Sequence, residues 1–193
     1  MPDAAAIVAA LAPAVPGARL EDGQALDQPT IVVPREHLVP ACRALRDQPG
    51  LRFDVLADMT AVDRWPGEPR FEVVYHLLST SAPARLRLEV ALDRDDAHVP
   101  TVRGVWESAG WLEREVWDLF GVVFDGHGDL RRLLMPEDWD GHPLRKDYPV
   151  QIRMKPKVYA PLQVTEAEFH AQIEKDRTVR GGTGLERGRE KKG

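Results

Sequence analysis

Thiols are almost missing from this chain. Cys42 is the single cysteine in 193 residues. A disulfide framework, a zinc ribbon or a cysteine-ligated iron–sulfur cluster needs more than one. Long apolar runs are missing too. The longest, Ala4 to Val15, is interrupted by Pro13 and falls short of the roughly 20 residues that cross a bilayer. Asp3 stands where a secretory signal would be positive, and no Arg/Ser-rich transit segment is present. The expected compartment is therefore cytoplasmic and reducing. Neither GxGxxG nor a Walker sequence occurs, so no glycine-rich loop is available to cradle NADH, FMN or ATP. A net charge of −5 lacks the basic face that general nucleic-acid binding requires.

Lysine is absent until Lys146. Residues 1–100 carry 10 Arg and 15 acids, and residues 101–193 carry 16 bases and 16 acids. An acidic folded body thus precedes a charge-balanced stretch, the composition expected of a segment that meets something. The bland alternative is a codon bias toward Arg.

What is present reads as an α+β fold. Residues 4–12 predict a short helix stopped by Pro13. Leu20 and Thr30 to Val33 flank the turn signals Glu21-Asp22-Gly23 and Gln28-Pro29, which suggests a small hairpin. A helix follows from Pro34 to about Asp47, with Leu38, Cys42 and Leu45 at i, i+4 and i+7. Pro40 implies a late start or a kink there. Cys42 on that stripe is a core residue rather than a nucleophile. Strands are expected at 52–62, 71–78 and 85–92, the last with Leu86, Leu88, Val90 and Leu92 on one face. His76, in an apolar strand, reads as a satisfied histidine. Together these give a two-layer domain, helices on one face of a mostly antiparallel or mixed sheet.

Residues 111–120 predict a helix with Leu112, Val116, Leu119 and Phe120 on one side and Gly121 as its stop. A short strand at 122–124, a turn at 125–129, a brief element at 130–134 and an irregular charged stretch to Tyr148 complete a first domain, 1–149. Residues 150–180 read as an extended arm ending in a helix over 165–176. Thr165 and Glu168 form its capping box, and Phe169 and Ile173 give it a narrow apolar stripe. Residues 181–193 read as a tail with little to bury.

The run from Glu113 to Pro149, EREVWDLFGVVFDGHGDLRRLLMPEDWDGHPLRKDYP, carries the strongest signal. It resembles the signature of the 30 kDa subunit family of respiratory complex I, the proton-pumping NADH:quinone oxidoreductase. Glu113-Arg114-Glu115, Asp118-Leu119-Phe120-Gly121, Gly126-His127, Asp129-Leu130-Arg131 and Gly141-His142-Pro143-Leu144-Arg145-Lys146-Asp147-Tyr148-Pro149 match as they stand. The segment Asp58 to Asp63 and the strand from Phe71 are also similar, so the likeness covers roughly residues 30–150. Gly128 departs from the pattern, standing where the family usually has proline.

The resemblance implies a cofactor-free subunit of the peripheral arm, on the cytoplasmic side of the bacterial inner membrane. It would have no span of its own. FMN and iron–sulfur clusters would sit on partner subunits. Its neighbours would be the hydrogenase-like quinone-site subunit and the cluster-bearing subunits. Related chains serve membrane-bound hydrogenases and ferredoxin-linked dehydrogenases.

Candidate interface residues on the motif are Glu113, Arg114, Glu115, Asp118, His127, Asp129, Arg131, His142, Arg145, Lys146, Asp147 and Tyr148. Arg114 and Asp118 lie opposite the apolar stripe, a base early and an acid late, against the helix dipole. They are therefore expected to face a partner chain, or the charged loop around Arg145 and Asp147. Acids at Asp129, Glu137, Asp138, Asp140 and Asp147 neutralise the nearby arginines, which favours ion pairing over phosphate or RNA contact. Most of the five tryptophans are expected in the core, with Trp111, Trp117 and Trp139 as possible interface anchors. The rival enzyme reading takes His127, Asp129 and His142 as metal ligands of a hydrolase.

Overall fold

The computed structural model describes residues 4–16, 21–22, 28–82, 84–149 and 165–181. The chain divides into two compact units, 1–150 and 151–193.

In the first unit, helix α1 (Ala4–Leu11) precedes strands β1 (Glu21–Asp22) and β2 (Thr30–Val32). Glu21 and Asp22 form the strand itself, paired antiparallel with Val32 and Ile31. They are not the turn that the sequence suggests, and Leu20 lies outside the described residues. A 3-10 turn over Arg35–His37 leads into helix α2 (Leu38–Asp47). This is the late start that Pro40 demands. As the third residue of α2, Pro40 sits in the first turn, where a missing N–H costs no intrahelical bond. Leu38, Cys42 and Leu45 are fully buried, and burial pushes the Cys42 thiol well up in pKa.

Strands β3 (Val55–Asp63), β4 (Phe71–Ser79) and β5 (Ala84–Leu92) form an antiparallel meander. The sheet is completed by β2, which pairs parallel with β5, in the order β1-β2-β5-β4-β3. Cross-strand rows such as Met59, Tyr75, Leu88 and Ala61, Val73, Val90 are buried together. Alternation puts each of these side chains on the same face. The opposite rows carry Asp58, His76 and Arg87, or Val62, Glu72 and Ala91. That face is half solvated, with Val62 exposed. His76 lies on it and exchanges a hydrogen bond with Gln28 at 3.0 Å. The α+β two-layer reading thus holds, with the helices packed on one sheet face through Ile7, Leu11, Leu45 and Val116.

Beyond β5 comes a two-stranded parallel sheet, whose second strand answers the one expected at 122–124 while the first has no counterpart in the sequence reading. Strand β6 (His98–Pro100) pairs with β7 (Val123–Asp125). Between them runs helix α3 (Ala109–Phe120), which packs along β3. Of its expected stripe, Val116 and Phe120 are buried, and Leu112 and Leu119 are partly so. Trp106 is the one tryptophan among the five that is buried, and its Nε1 donates to the Phe53 carbonyl. Tryptophan placement therefore departs from the mostly-core expectation, as at the exposed Trp65, while Trp111, one of the anchor candidates, is 62% exposed. Residues 130–134 form neither helix nor strand.

In the second unit, helix α4 spans Glu166–Gly181, five residues beyond the expected end. Its capping box is present. The backbone N–H of Thr165 donates to Glu168 at 2.8 Å, and that of Glu168 donates back to the Thr165 hydroxyl at 3.3 Å. The expected arm at 150–164 and most of the tail, 182–193, lie outside the described residues.

Candidate functional site

Helix α3 ends in Gly121, whose φ of +75° satisfies the left-handed cap that glycine adopts at least cost. From β7 onward the chain returns across α3 as irregular backbone, held along the helix by three polar clusters.

The first lies at the start of α3. The Glu113 carboxylate is fully buried. It accepts the Thr101 hydroxyl at 2.5 Å and the Val102 N–H at 2.7 Å, which fixes the exit of β6. Burial raises its pKa, while the two donors and the nearby His127 oppose the rise without cancelling it. His127 is also buried. Its Nε2 lies 2.9 Å from the Gly110 carbonyl, and its Nδ1 accepts the Asp129 N–H at 3.2 Å. Both contacts are satisfied by a single tautomer with the proton on Nε2.

The second cluster centres on Asp118, which is fully buried. Its Oδ2 accepts three successive backbone N–H groups, from Leu133, Leu134 and Met135, at 3.0, 2.8 and 2.8 Å. Its Oδ1 accepts Arg132 Nη1 at 2.6 Å. Burial alone would raise the carboxyl pKa, but these donors outweigh it and hold the group below its usual range. Arg132 also donates to the Trp139 and Gly141 carbonyls. One turn earlier, Arg114 donates from Nε and Nη2 to the Arg131 and Arg132 carbonyls at 3.1 and 3.0 Å.

The third cluster joins the loop to the β3–β4 hairpin. Arg70 is 3% exposed. It grips Asp63 through Nε and Nη2 at 3.1 and 3.0 Å, and Asp147 through Nη1 and Nη2 at 3.0 and 2.7 Å. Its guanidinium lies over the Trp65 ring at 5.0 Å and over the Phe71 ring at 4.8 Å. The Lys146 N–H donates to Asp63 at 2.8 Å. Burial would raise the Asp63 pKa, but Arg70 and the backbone donors bring it down to about 2. Arg145 donates to the Phe120 and Gly121 carbonyls at the end of α3, and His142 Nδ1 lies 3.0 Å from the Asp118 carbonyl. Burial lowers the His142 pKa. Tyr148 closes the loop through its hydroxyl on the Asp140 carbonyl at 2.9 Å.

Of the two surroundings expected for Arg114 and Asp118, a partner chain or the charged loop, the structure shows contacts to the loop. Glu113, Arg114 and Asp118 do not lie on a solvated helix face: Glu113 is held by Thr101 and Val102 at the exit of β6, while Arg114 and Asp118 bond to backbone of the returning loop. Arg114 and Asp118 are also not engaged with each other; each binds loop backbone. Finally, His127, Asp129 and His142 are not brought together. His127 is fixed against Gly110 and His142 against Asp118, eight residues or about 12 Å apart along α3. Among the described residues no group of three potential ligands surrounds a metal position. Asp129, Arg131 and Lys146 are exposed, and Glu115 is half-buried.

Asp63 and Arg70 are not singled out by sequence as site residues, whereas Arg132 belongs to the basic group for which ion pairing is favoured over phosphate or RNA contact. One local signal exists for Asp63: it continues the inward-facing row of Met59 and Ala61 on β3. A buried acid needs a cation, and Arg70 precedes the next strand. Gly128 has φ +81°, which proline cannot adopt.

Gly121 tests this architecture. A Cβ there would run into the Arg145 guanidinium and the His142 ring, on a backbone unfavourable to L side chains. Gly121→Ala is expected to cost on the order of 2 kcal/mol and to speed limited proteolysis after Arg145. Unchanged thermal stability and cleavage would mean that the loop is not seated on the end of α3.

The first unit is a small α+β body with a polar loop strapped over one helix, and several of the motif's charged groups hold that loop's backbone. Residues 31–153 match the family described as respiratory-chain NADH dehydrogenase, 30 Kd subunit, and the chain belongs to this family. It is 56% identical over 122 residues to the C subunit of an NADH-quinone oxidoreductase of Saccharopolyspora erythraea, covering 63% of this chain and 49% of that protein. The corresponding C subunit of Roseiflexus sp. strain RS-1 is 45% identical over 148 residues, covering 77% and 85%. The chain thus spans about half the length of the first relative and most of the second. A solved chain of the membrane-bound sulfane sulfur reductase, an archaeal respiratory membrane complex, is 25% identical, with a TM-score of 0.57 over 96% of this chain and 95% of that one. No described helix is long and apolar enough to cross a membrane.

Proposed function

We propose that this chain is a peripheral-arm subunit of an NADH:quinone oxidoreductase, without a cofactor of its own, serving to assemble and support the quinone-site region. The observation that carries this reading is the overlap of the family match, residues 31–153, with the strapped loop. The ionisable groups of that overlap hold irregular backbone in one shape, which suits a surface presented to other subunits. In this reading the partners are the hydrogenase-like quinone-site subunit and the cluster-bearing subunits. They carry the FMN and iron–sulfur clusters, and the complex lies on the cytoplasmic side of the inner membrane. Among the described residues Cys42 is buried, and no glycine-rich nucleotide loop occurs in the sequence.

The test is affinity purification of the tagged full chain from detergent-solubilised membranes of its own host. Co-purification of nucleotide- and flavin-binding subunits, with NADH:quinone activity lost on gene deletion and restored by complementation, supports the reading. Recovery of the chain alone from the soluble fraction rejects it. A second reading, the equivalent subunit of a related respiratory membrane complex, is favoured by the likeness to the sulfane sulfur reductase chain. It predicts co-purification of membrane subunits without a flavin-binding NADH module.

A further inference from the structure

We infer that the groove beside the start of α3 is a docking site for a carboxylate, carried by an acidic segment of another subunit. The argument begins with Arg114. The other buried arginine, Arg70, is gripped by two carboxylates, and the half-buried Arg132 by one. Arg114 is 8% exposed, and among the described residues no carboxylate pairs with it. Nε and Nη2 donate to loop carbonyls, which neutralise no charge, and Nη1 has no acceptor among the described residues. A guanidinium so withdrawn from water is ordinarily paired with an anion.

Arg114 opens onto a groove of about 150 Å³, lined also by Arg103, Trp111, Arg131, Glu107 and Asp129. Arg103 and Arg131 are exposed, and together with Arg114 they give three cations against two acids. Arg131 already pairs with Asp129 at 3.2 Å. Trp111 stacks over the Arg114 guanidinium at 4.9 Å, yet remains 62% exposed. A recessed cation beside an open indole face is matched by one carboxylate on an aliphatic stem, the chemistry of a glutamate or aspartate side chain flanked by apolar residues. Aromatic and arginine side chains so placed are the usual anchors of protein interfaces. The acids on the rim and the small volume disfavour a phosphate dianion, which places the partner among proteins rather than lipids or nucleic acids.

This inference rests on the proposed function and adds the place and chemistry of one contact. The experiment uses the complex as purified from membranes. Trp111→p-benzoylphenylalanine is introduced into the tagged full chain, irradiated in the assembled complex, and the cross-linked peptide is sequenced by mass spectrometry. The expected product joins position 111 to another subunit at a segment with Asp or Glu within a few residues. Arg131→Glu, a change on the exposed rim, should lower the yield of that cross-link several-fold, while a cross-linker at the exposed Leu144 keeps its own yield. A cross-link to lipid, to a segment without acids, or none from position 111 while position 144 cross-links, overturns the groove as an acid-docking site. If the tagged chain brings down no other subunit, the functional reading fails first, and the groove's occupant with it.

Discussion

Asp118→Ala is expected to lower the melting temperature of the chain by on the order of 10 °C. The change leaves three backbone N–H groups and the half-buried Arg132 guanidinium without the carboxylate that they meet at a fully buried position on α3. Removing one partner of a buried charged pair costs about 3–5 kcal/mol, and in a domain of this size each kcal/mol moves the midpoint by about 2–4 °C. Asp118→Asn, which keeps one acceptor oxygen, should fall between the variant and the parent. Calorimetry or circular dichroism on the purified chain decides the matter. A shift below about 2 °C would return Asp118 to the solvated, partner-facing role that its place on the helix first suggests.

Arg70→Met is expected to have a comparable effect and, in addition, to change how stability depends on pH. In the parent chain the Asp63 carboxyl titrates at about 2, against an ordinary value of 3.8. A carboxylate held below its unfolded pKa contributes stability that is fully present above about pH 4 and is lost as the pH falls through 2. The contribution is on the order of 2 kcal/mol. Asp147, also lowered through Arg70, acts in the same direction. The parent should therefore gain stability between pH 2 and 5. Without Arg70, Asp63 loses the guanidinium that binds it directly, burial acts against fewer donors, its pKa rises, and the gain flattens or reverses. At neutral pH the variant should be about 3–5 kcal/mol less stable. Denaturant titrations at several pH values measure both effects. A slope like the parent's between pH 2 and 5 would show that Asp63 does not depend on Arg70.

These two sites also mark where sequence reasoning succeeds and where it stops. Strand β5 is legible because Leu86, Leu88, Val90 and Leu92 alternate, and burial follows alternation locally. The capping box of α4 is legible because both partners lie three residues apart. The family motif identifies the loop. Its internal wiring stays hidden, because a buried acid looks like a surface acid until its partner is known. Asp63 meets Lys146 across 83 residues and Arg70 meets Asp147 across 77. Periodicity carries no information at that range. The helix at 111–120 and its stripe are legible, but the cover over its polar face is not: an apolar stripe reports one buried face and says nothing about a polar face covered by backbone. The parallel pairing of β2 with β5 and of β6 with β7 escapes because parallel partners are joined by long crossovers rather than by a recognisable turn.

The span between Arg70 and Asp147 also orders events during synthesis. At about 5–20 residues per second, the ribosome delivers Asp147 roughly 4–15 s after Arg70. The hairpin of β3 and β4 can form in that interval with Arg70 and Asp63 paired only to each other, its final clasp still unmade. Closure waits for the last residues of the motif, so the loop-bearing surface comes into being only once nearly the whole first unit has been made. A nascent chain stopped before Asp147 would carry the sheet and α3 without the clasp that ties the end of the loop to the β3–β4 hairpin.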